Sequence, residues 1–148
     1  MKLSVITVTW NAEKTVERTL KSVQEQTYSH MEHLIVDGAS VDGTLKIIQE
    51  YSEGDLNIQK EGSILNRTSV QKRIKWVSEP DQGLYDAMNK GLALATGDII
   101  GFVNAGDLLM TPHVIAQVVA AFQRSHVDAV YGDIIMVDEK DIFKVHRT

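Results

Sequence analysis

The sequence predicts an α/β fold with a mostly parallel central sheet covered on both faces. Three observations carry that prediction. Strand-like apolar runs alternate with stretches of helical period along the chain. The strongest run, at residues 3–9, is apolar without clean alternation, as expected of a strand buried on both faces. The length, 148 residues, suits one domain with a substantial core and is too short for two comfortable ones.

Residues 3–9 form the first predicted strand. One lysine precedes an apolar stretch there, but Ser4, Thr7 and Thr9 interrupt it and no small-residue cleavage site follows, so it is not read as a secretion signal. Asn11 is placed to cap the next helix, in which Val16, Leu20 and Val23 recur at helical spacing behind the acids Glu13 and Glu17. Residues 34–36 are a short second strand, leading into D-G-A-S-V-D-G-T. Asp42 caps a helix that carries Leu45 and Ile48 and continues to about Tyr51. Residues 52–73 are irregular and locally basic through Lys60, Arg67, Lys72 and Arg73, and are expected to be a solvated surface insertion. A third strand follows at 74–77.

Residues 83–96 read as a helix with Leu84, Met88, Leu92 and Ala95 on one face and Asp86, Asn89 and Lys90 on the other; Gly97 would end it in a left-handed cap. Residues 99–103 are the next strand. Thr111 and Pro112 signal a helix start, and Ile115, Val118, Val119 and Phe122 supply its apolar stripe. Residues 129–131 are expected as a further strand, with weaker candidates at 134–136 and 142–145.

Composition excludes several functions. Without cysteine there is no disulfide scaffold, thiolate metal site or thiol nucleophile. A net charge of −5 argues against binding nucleic acid or a bare anionic membrane, and no apolar run approaches the roughly 20 residues of a membrane helix. The five histidines show no metal-ligand spacing; His30 and His33 are expected on the solvated surface.

In a parallel sheet every strand's carboxyl end lies on one edge, where open α/β sheets bind ligands. That edge collects Trp10 and Asn11, then Asp37, then Glu79 and Asp81, then Asn104 and Asp107. Carboxylates so gathered repel one another unless a cation offsets them. Hard oxygen ligands suit Mg²⁺ or Mn²⁺, which could in turn hold a diphosphate. Each residue also has a plainer role available: Asp37 in its turn, Trp10 in the core or as a lid. G-x-G-x-x-G, the P-loop and the G-x-S-x-G elbow are all absent. V-D-G-T at 41–44 has only part of the aspartyl-phosphatase loop, with Ser40 in the nucleophile's place.

Four ordered blocks, S-V-I-T-V-T-W-N-A-E-K-T, I-V-D-G-A-S-V-D-G-T, S-E-P-D-Q-G-L-Y-D-A-M-N-K-G and A-T-G-D-I-I-G-F-V-N-A-G-D, resemble the nucleotide-binding half of family 2 glycosyltransferases. The likeness is strongest to the bacterial subgroup that builds colanic-acid-like and other surface polysaccharides. The resemblance implies a GT-A-type, Rossmann-like α/β/α sandwich, a nucleoside-diphosphate sugar donor and transfer with inversion to a glycan or lipid-linked acceptor. By position, Val8, Thr9 and Trp10 would wall the base, and Asp37 would hydrogen-bond it, uracil being favoured. Asp81 and Asn89 would line the donor pocket with Asp86 beside them. Asp107 would hold the Mg²⁺ or Mn²⁺ that bridges the phosphates, with Asn104 nearby.

Two departures stand out. The family's metal motif is D-D or D-x-D, whereas Gly106 takes the preceding acid's place here and Asn104 stands earlier. The family's catalytic base lies in an acceptor half well beyond that motif, and Asp128, Asp133, Asp138, Glu139 and Asp141 lack that context. The chain therefore reads as a single nucleotide-sugar-binding domain over 1–148, truncated before the acceptor domain, that retains donor binding better than transfer. Its expected location is cytoplasmic, at most peripheral at the inner membrane face, and the bared sheet would favour a homo-oligomer. Two other readings stay open: a non-catalytic nucleotide-binding or assembly module, and a sugar-phosphate nucleotidyltransferase.

Overall fold

The computed structural model describes residues 1–53, 73–125, 127–138, 140–141 and 144–146. Ten elements follow in order: β1 (Leu3–Thr9), α1 (Val16–Gln24), β2 (Met31–Asp37), α2 (Thr44–Ser52), β3 (Arg73–Ser78), α3 (Leu84–Leu94), β4 (Ile99–Phe102), α4 (Val114–Ser125), β5 (Met136–Val137) and β6 (Val145–His146). The first four strands make one parallel sheet in the order β3-β2-β1-β4; β5 and β6 pair antiparallel by themselves. Most of the expected insertion lies outside the described residues.

All seven residues of β1 and of β2 are buried, because helices cover both faces of the sheet. Leu3 and Val5 point to one face and pack with Val23 of α1 and with Ile115 and Val119 of α4. Ile6 and Val8 point to the other and pack against Ala87 of α3. Ile35 joins Val16 and Leu20 of α1 and Ile48 and Tyr51 of α2. A nine-residue helix such as α1 is marginal alone. Its three aliphatic residues, all fully buried, stabilise it by about 1.5–3 kcal/mol each.

Several expectations need correction. The second strand is longer than predicted, and His33 is buried rather than on the surface. Its ring nitrogens meet Thr7 Oγ1 at 2.8 Å and the Tyr51 hydroxyl at 3.0 Å, which satisfies a polar ring inside the core. His30 is exposed, as expected. Asn11 does not cap α1. It takes a left-handed conformation (φ 46°) and its side chain bonds the neighbouring loop instead. In α3 the buried residues are Ala87 and Gly91, while Leu84 and Leu92 are 48% and 44% exposed. The helix turns its smallest side chains to the sheet: a Cβ on Gly91 would lie 2.5 Å from Ile6 Cγ2. Gly97 is not a left-handed cap, since α3 ends at Ala95 in an extended conformation. Gly97 is needed because a Cβ there would meet Ser4 N at 2.7 Å. Residues 129–131 form no strand; with no ladder partner among the described residues, Tyr131 stands 96% exposed.

Candidate functional site

The chain runs from β1 outward through β2 to β3, then crosses back to place β4 on the other side of β1. That reversal opens a crevice beyond the carboxyl ends of β1 and β4, the position where such sheets bind ligands. Trp10 and Asn11 border it from β1, and Asn104 and Asp107 from β4.

The loops on this edge are held by side chains. Asn11 N donates to Ser40 Oγ at 2.7 Å and Val41 N returns a bond to Asn11 Oδ1 at 2.9 Å. Ala12 N donates to Thr44 Oγ1 at 2.8 Å, and Gly43 N to Glu13 Oε2 at 2.8 Å. The N-cap of α2 is Gly43 rather than the expected Asp42, which instead braces the turn before it by accepting from Thr44 N at 3.0 Å. The Thr44 hydroxyl bond, above all, holds the Asp42 carboxyl below its usual range.

Asp37 is fully buried at the end of β2. Its carboxylate accepts from Ser40 N at 2.9 Å, from the Ser40 hydroxyl and from Ser78 Oγ at 2.7 Å. In this state it shapes the loop that begins at Gly38. Asp81 lies against that loop: its Oδ1 accepts from Gly83 N at 2.8 Å, and its Oδ2 is 2.5 Å from where a Cβ on Gly38 would sit. Trp10 Cδ1 is 3.4 Å from the same point, with the residue 69% exposed. Trp10, Gly38 and Asp81 therefore form one wall, and a side chain at 38 would displace the Asp81 carboxylate from it. Val8 and Thr9 are buried beneath, the Thr9 hydroxyl without a partner among the described residues.

Asp86 reaches back to Gln82 N at 3.0 Å at the start of α3 and pairs with Lys90 at 3.4 Å. That backbone bond is the main reason its carboxyl lies below the usual range. Lys90 also binds Glu79 at 3.0 Å, which raises its ammonium above the ordinary value. Asn89 is exposed on the same helix.

Asp107 differs from these acids. Residues 104–107 form a turn closed by Asp107 N on Asn104 O at 2.9 Å, with Gly106 at φ +105°. The Asp107 side chain is exposed and has no hydrogen bond or ion pair among the described residues, while Asn104 Oδ1 is buried without a partner. A free carboxylate and an unsatisfied carbonyl oxygen in one turn are the hard donors a divalent cation takes. No cluster of three acidic or histidine ligands exists among the described residues, so phosphate and water would complete the shell.

The structure thus brings Trp10, Asp81 and the Asp37 loop together, with Asn104 and Asp107 across the crevice. Sequence reading missed Ser40 and Ser78, which bind Asp37. It also missed Thr19, Ser22 and Gln26 of α1 and its C-terminal extension, which hold the 104–115 segment. The available signal was polar residues at helical spacing beside an apolar stripe.

Comparisons with known proteins agree with this architecture. The family model described as glycosyl transferase family 2 matches residues 4–148. An uncharacterized glycosyltransferase of Mycobacterium tuberculosis is 36% identical over 120 residues, 80% of this chain and 39% of its own. A PGL/p-HBAD biosynthesis glycosyltransferase of Mycobacterium bovis is 37% identical over 135 residues, covering 90% and 46%. Among solved structures, the mannosyltransferase PcManGT of Pyrobaculum calidifontis, in complex with GDP-Man and Mn²⁺, aligns with a TM-score of 0.68 at 27% identity, covering 85% of this chain and 33% of that one. TarS of S. aureus in complex with UDP-GlcNAc gives 0.67 at 26%, covering 85% and 32%. The chain spans less than half the length of these relatives.

Proposed function

The chain belongs to glycosyl transferase family 2, and from that premise we propose that it is the donor-binding part of a metal-dependent, inverting sugar transferase. Its parallel sheet and covering helices are the nucleotide-binding portion of the GT-A fold. The observation that carries the proposal is the Asp107 carboxylate at the β1–β4 crevice, unpartnered among the described residues, on an edge where Asp37, Asp42, Asp81 and Asp86 are already engaged.

Asp107 and Asn104 would hold Mg²⁺ or Mn²⁺ together with the donor's phosphates. Such an ion neutralises charge on a departing diphosphate, worth several kcal/mol. The Trp10 ring, standing on the Gly38–Asp81 wall, would stack on the base or ribose, with Val8 and Thr9 beneath it. Asp81 and Asn89 would accept from and donate to sugar hydroxyls, with Asp86 keeping the start of α3 in place. Uracil is the favoured base, its imide N–H replacing one of the serine hydroxyls now bonded to Asp37. That preference stands on Asp37 and the family resemblance together: the structural relatives hold GDP-Man in one case and UDP-GlcNAc in the other.

The acceptor is proposed to be a glycan or lipid-linked saccharide. The acids after α4, such as Asp128, Asp133 and Asp141, are exposed and lie outside the crevice residues, so none is assigned as general base. A base contributes roughly 10²–10⁴-fold. This chain should therefore bind donor better than it transfers sugar. No helix among the described residues is long and apolar enough to cross a membrane.

Calorimetric titration with UDP- and GDP-sugars, with Mn²⁺ or with chelator, tests the proposal. Expected is binding that requires Mn²⁺ and is lost in Asp107→Asn. Equal affinity in chelator, or retention by the variant, overturns it. Binding of a nucleoside triphosphate with a sugar phosphate would support a nucleotidyltransferase instead.

A further inference from the structure

We infer that Thr19, Ser22 and Gln26 are positioning residues for Asp107, a polar stripe that fixes the loop bearing the candidate metal ligand. The inference rests on the proposed role of Asp107 at the donor site.

Thr19 and Ser22, three apart, share one side of α1, and Gln26 follows just beyond its C-terminal cap, where its side chain bonds Ser22 O. That side borders the core: Thr19 is 0% and Gln26 4% exposed. Apolar residues would be the ordinary choice at such positions. Here each polar atom meets the backbone of the segment that carries Asp107. Thr19 Oγ1 accepts from Gly106 N at 2.9 Å. Ser22 Oγ accepts from Leu109 N at 3.2 Å while donating to Thr19 O at 2.8 Å. Gln26 Nε2 donates to Thr111 O at 2.7 Å and to Ser22 O at 3.0 Å, and its Oε1 accepts from Ile115 N at 3.0 Å.

These contacts bracket Asp107 from both directions without touching its side chain. The residue before it is fixed by Thr19, and the chain after it is fixed at Leu109, Thr111 and Ile115. Between them the turn closes on Asn104 O, with Gly106 at a φ open to glycine. Ala105 N bonds Val8 O of β1 at 3.0 Å, while the donors of Gly106, Leu109 and Ile115 are met by the Thr19, Ser22 and Gln26 side chains, as buried donors require. Together with the Ala105–Val8 bond, these contacts fix where the Asp107 Cα stands relative to β1. The side chain is left free to bind. Partners outside the metal's own ligands commonly change metal affinity 10- to 100-fold.

The experiment uses the 148-residue chain and Thr19→Val, which keeps the shape and removes the acceptor. Thr19→Ser is the restoring variant. Lys21→Gly is a control that weakens the same helix from its exposed side, away from the loop. Mn²⁺ affinity in the presence of UDP is read by electron paramagnetic resonance, and exchange of the Gly106 amide by NMR. Thr19→Val is expected to speed Gly106 exchange and to weaken Mn²⁺ about tenfold. Thr19→Ser should restore both, and Lys21→Gly should leave Mn²⁺ affinity within twofold of the parent. If the parent binds Mn²⁺ and Thr19→Val binds it equally, or if Lys21→Gly weakens it as much, this inference alone is overturned. A parent chain that takes no Mn²⁺ overturns the donor-site reading and this inference together.

Discussion

Replacing Asp107 by asparagine removes a charge that no group in the described fold pairs with. Its stability cost should therefore stay within about 0.5 kcal/mol, as for surface changes generally. Its effect on Mn²⁺-dependent donor binding should be at least tenfold, and a thermal melt beside a titration checks both. Glu32 behaves in the opposite way. It is fully buried at the amino end of the sheet, bonded by Ser4 Oγ at 2.7 Å, Thr96 N at 2.7 Å and Lys2 Nζ at 2.9 Å. Burial alone would raise its carboxyl, but the bonds from Ser4, Lys2 and Thr96 together outweigh it and bring the pKa down to about 2. A depressed carboxylate stabilises the fold above its unfolded value of 4.5, and the contribution is lost as pH falls from there toward 2. Acid unfolding should steepen in that window, and Glu32→Gln should flatten it at a cost of roughly 2–3 kcal/mol at neutral pH. Circular dichroism against pH decides. Asp107 was legible because its position after a buried strand is a sequence property. Glu32 and His33 were not: their partners Lys2, Thr96, Thr7 and Tyr51 converge only through the β1–β2 register and the packing of α2 and the segment after α3.

Among the elements, apolar periodicity placed α1, α2, α4 and the four sheet strands, since each buries a stripe or a run that repeats in the sequence. It placed the α3 face only in part. Met88 and Ala95 pack against the core as expected, but Leu84 and Leu92 are exposed and Ala87 and Gly91 touch the sheet, because the helix sits directly on Ile6. Large residues mark a core face only when the elements have space between them. Gly91→Val should thus force Ile6 or the helix to shift, and overpacking of this kind costs about 1–3 kcal/mol. Denaturant titration reads the loss. A cost no greater than the glycine-to-valine change brings at an exposed helical site would show that α3 has slack. At the Asn104–Asp107 turn the departure from the family's acidic pair has a local cause. Gly106 at φ +105° lies where an aspartate would be strained by about 1–3 kcal/mol. Gly106→Asp should therefore lose stability, even though a Cβ there meets nothing within 4 Å.

At the scale of the whole molecule, the sheet is unequally protected. Among the described residues β4 pairs with β1 alone, so its other edge offers unpaired backbone groups. The register that sets Leu3 against Ile99 turns Ile100 and Phe102 to the α3 side, where they are 38% and 41% exposed. Leu84 and Leu92 of α3 are also exposed on that side of the sheet. An unprotected strand edge beside apolar side chains invites pairing with another chain. Net charge of −5 is modest for opposing it. The chain is accordingly expected to self-associate at micromolar concentration in sedimentation velocity. The double substitution Ile100→Lys with Phe102→Lys should return it to a monomer, because edge lysines repel a second strand while the β1-facing bonds of β4 stay intact. Donor binding should survive that change, since both residues lie before the Asn104 turn and point away from the face that α1 and α4 cover. A monomeric parent chain would show instead that this edge is closed in solution. An oligomer unaffected by the two lysines would move the contact to the exposed Tyr131, Ile134 and Met136 beyond α4.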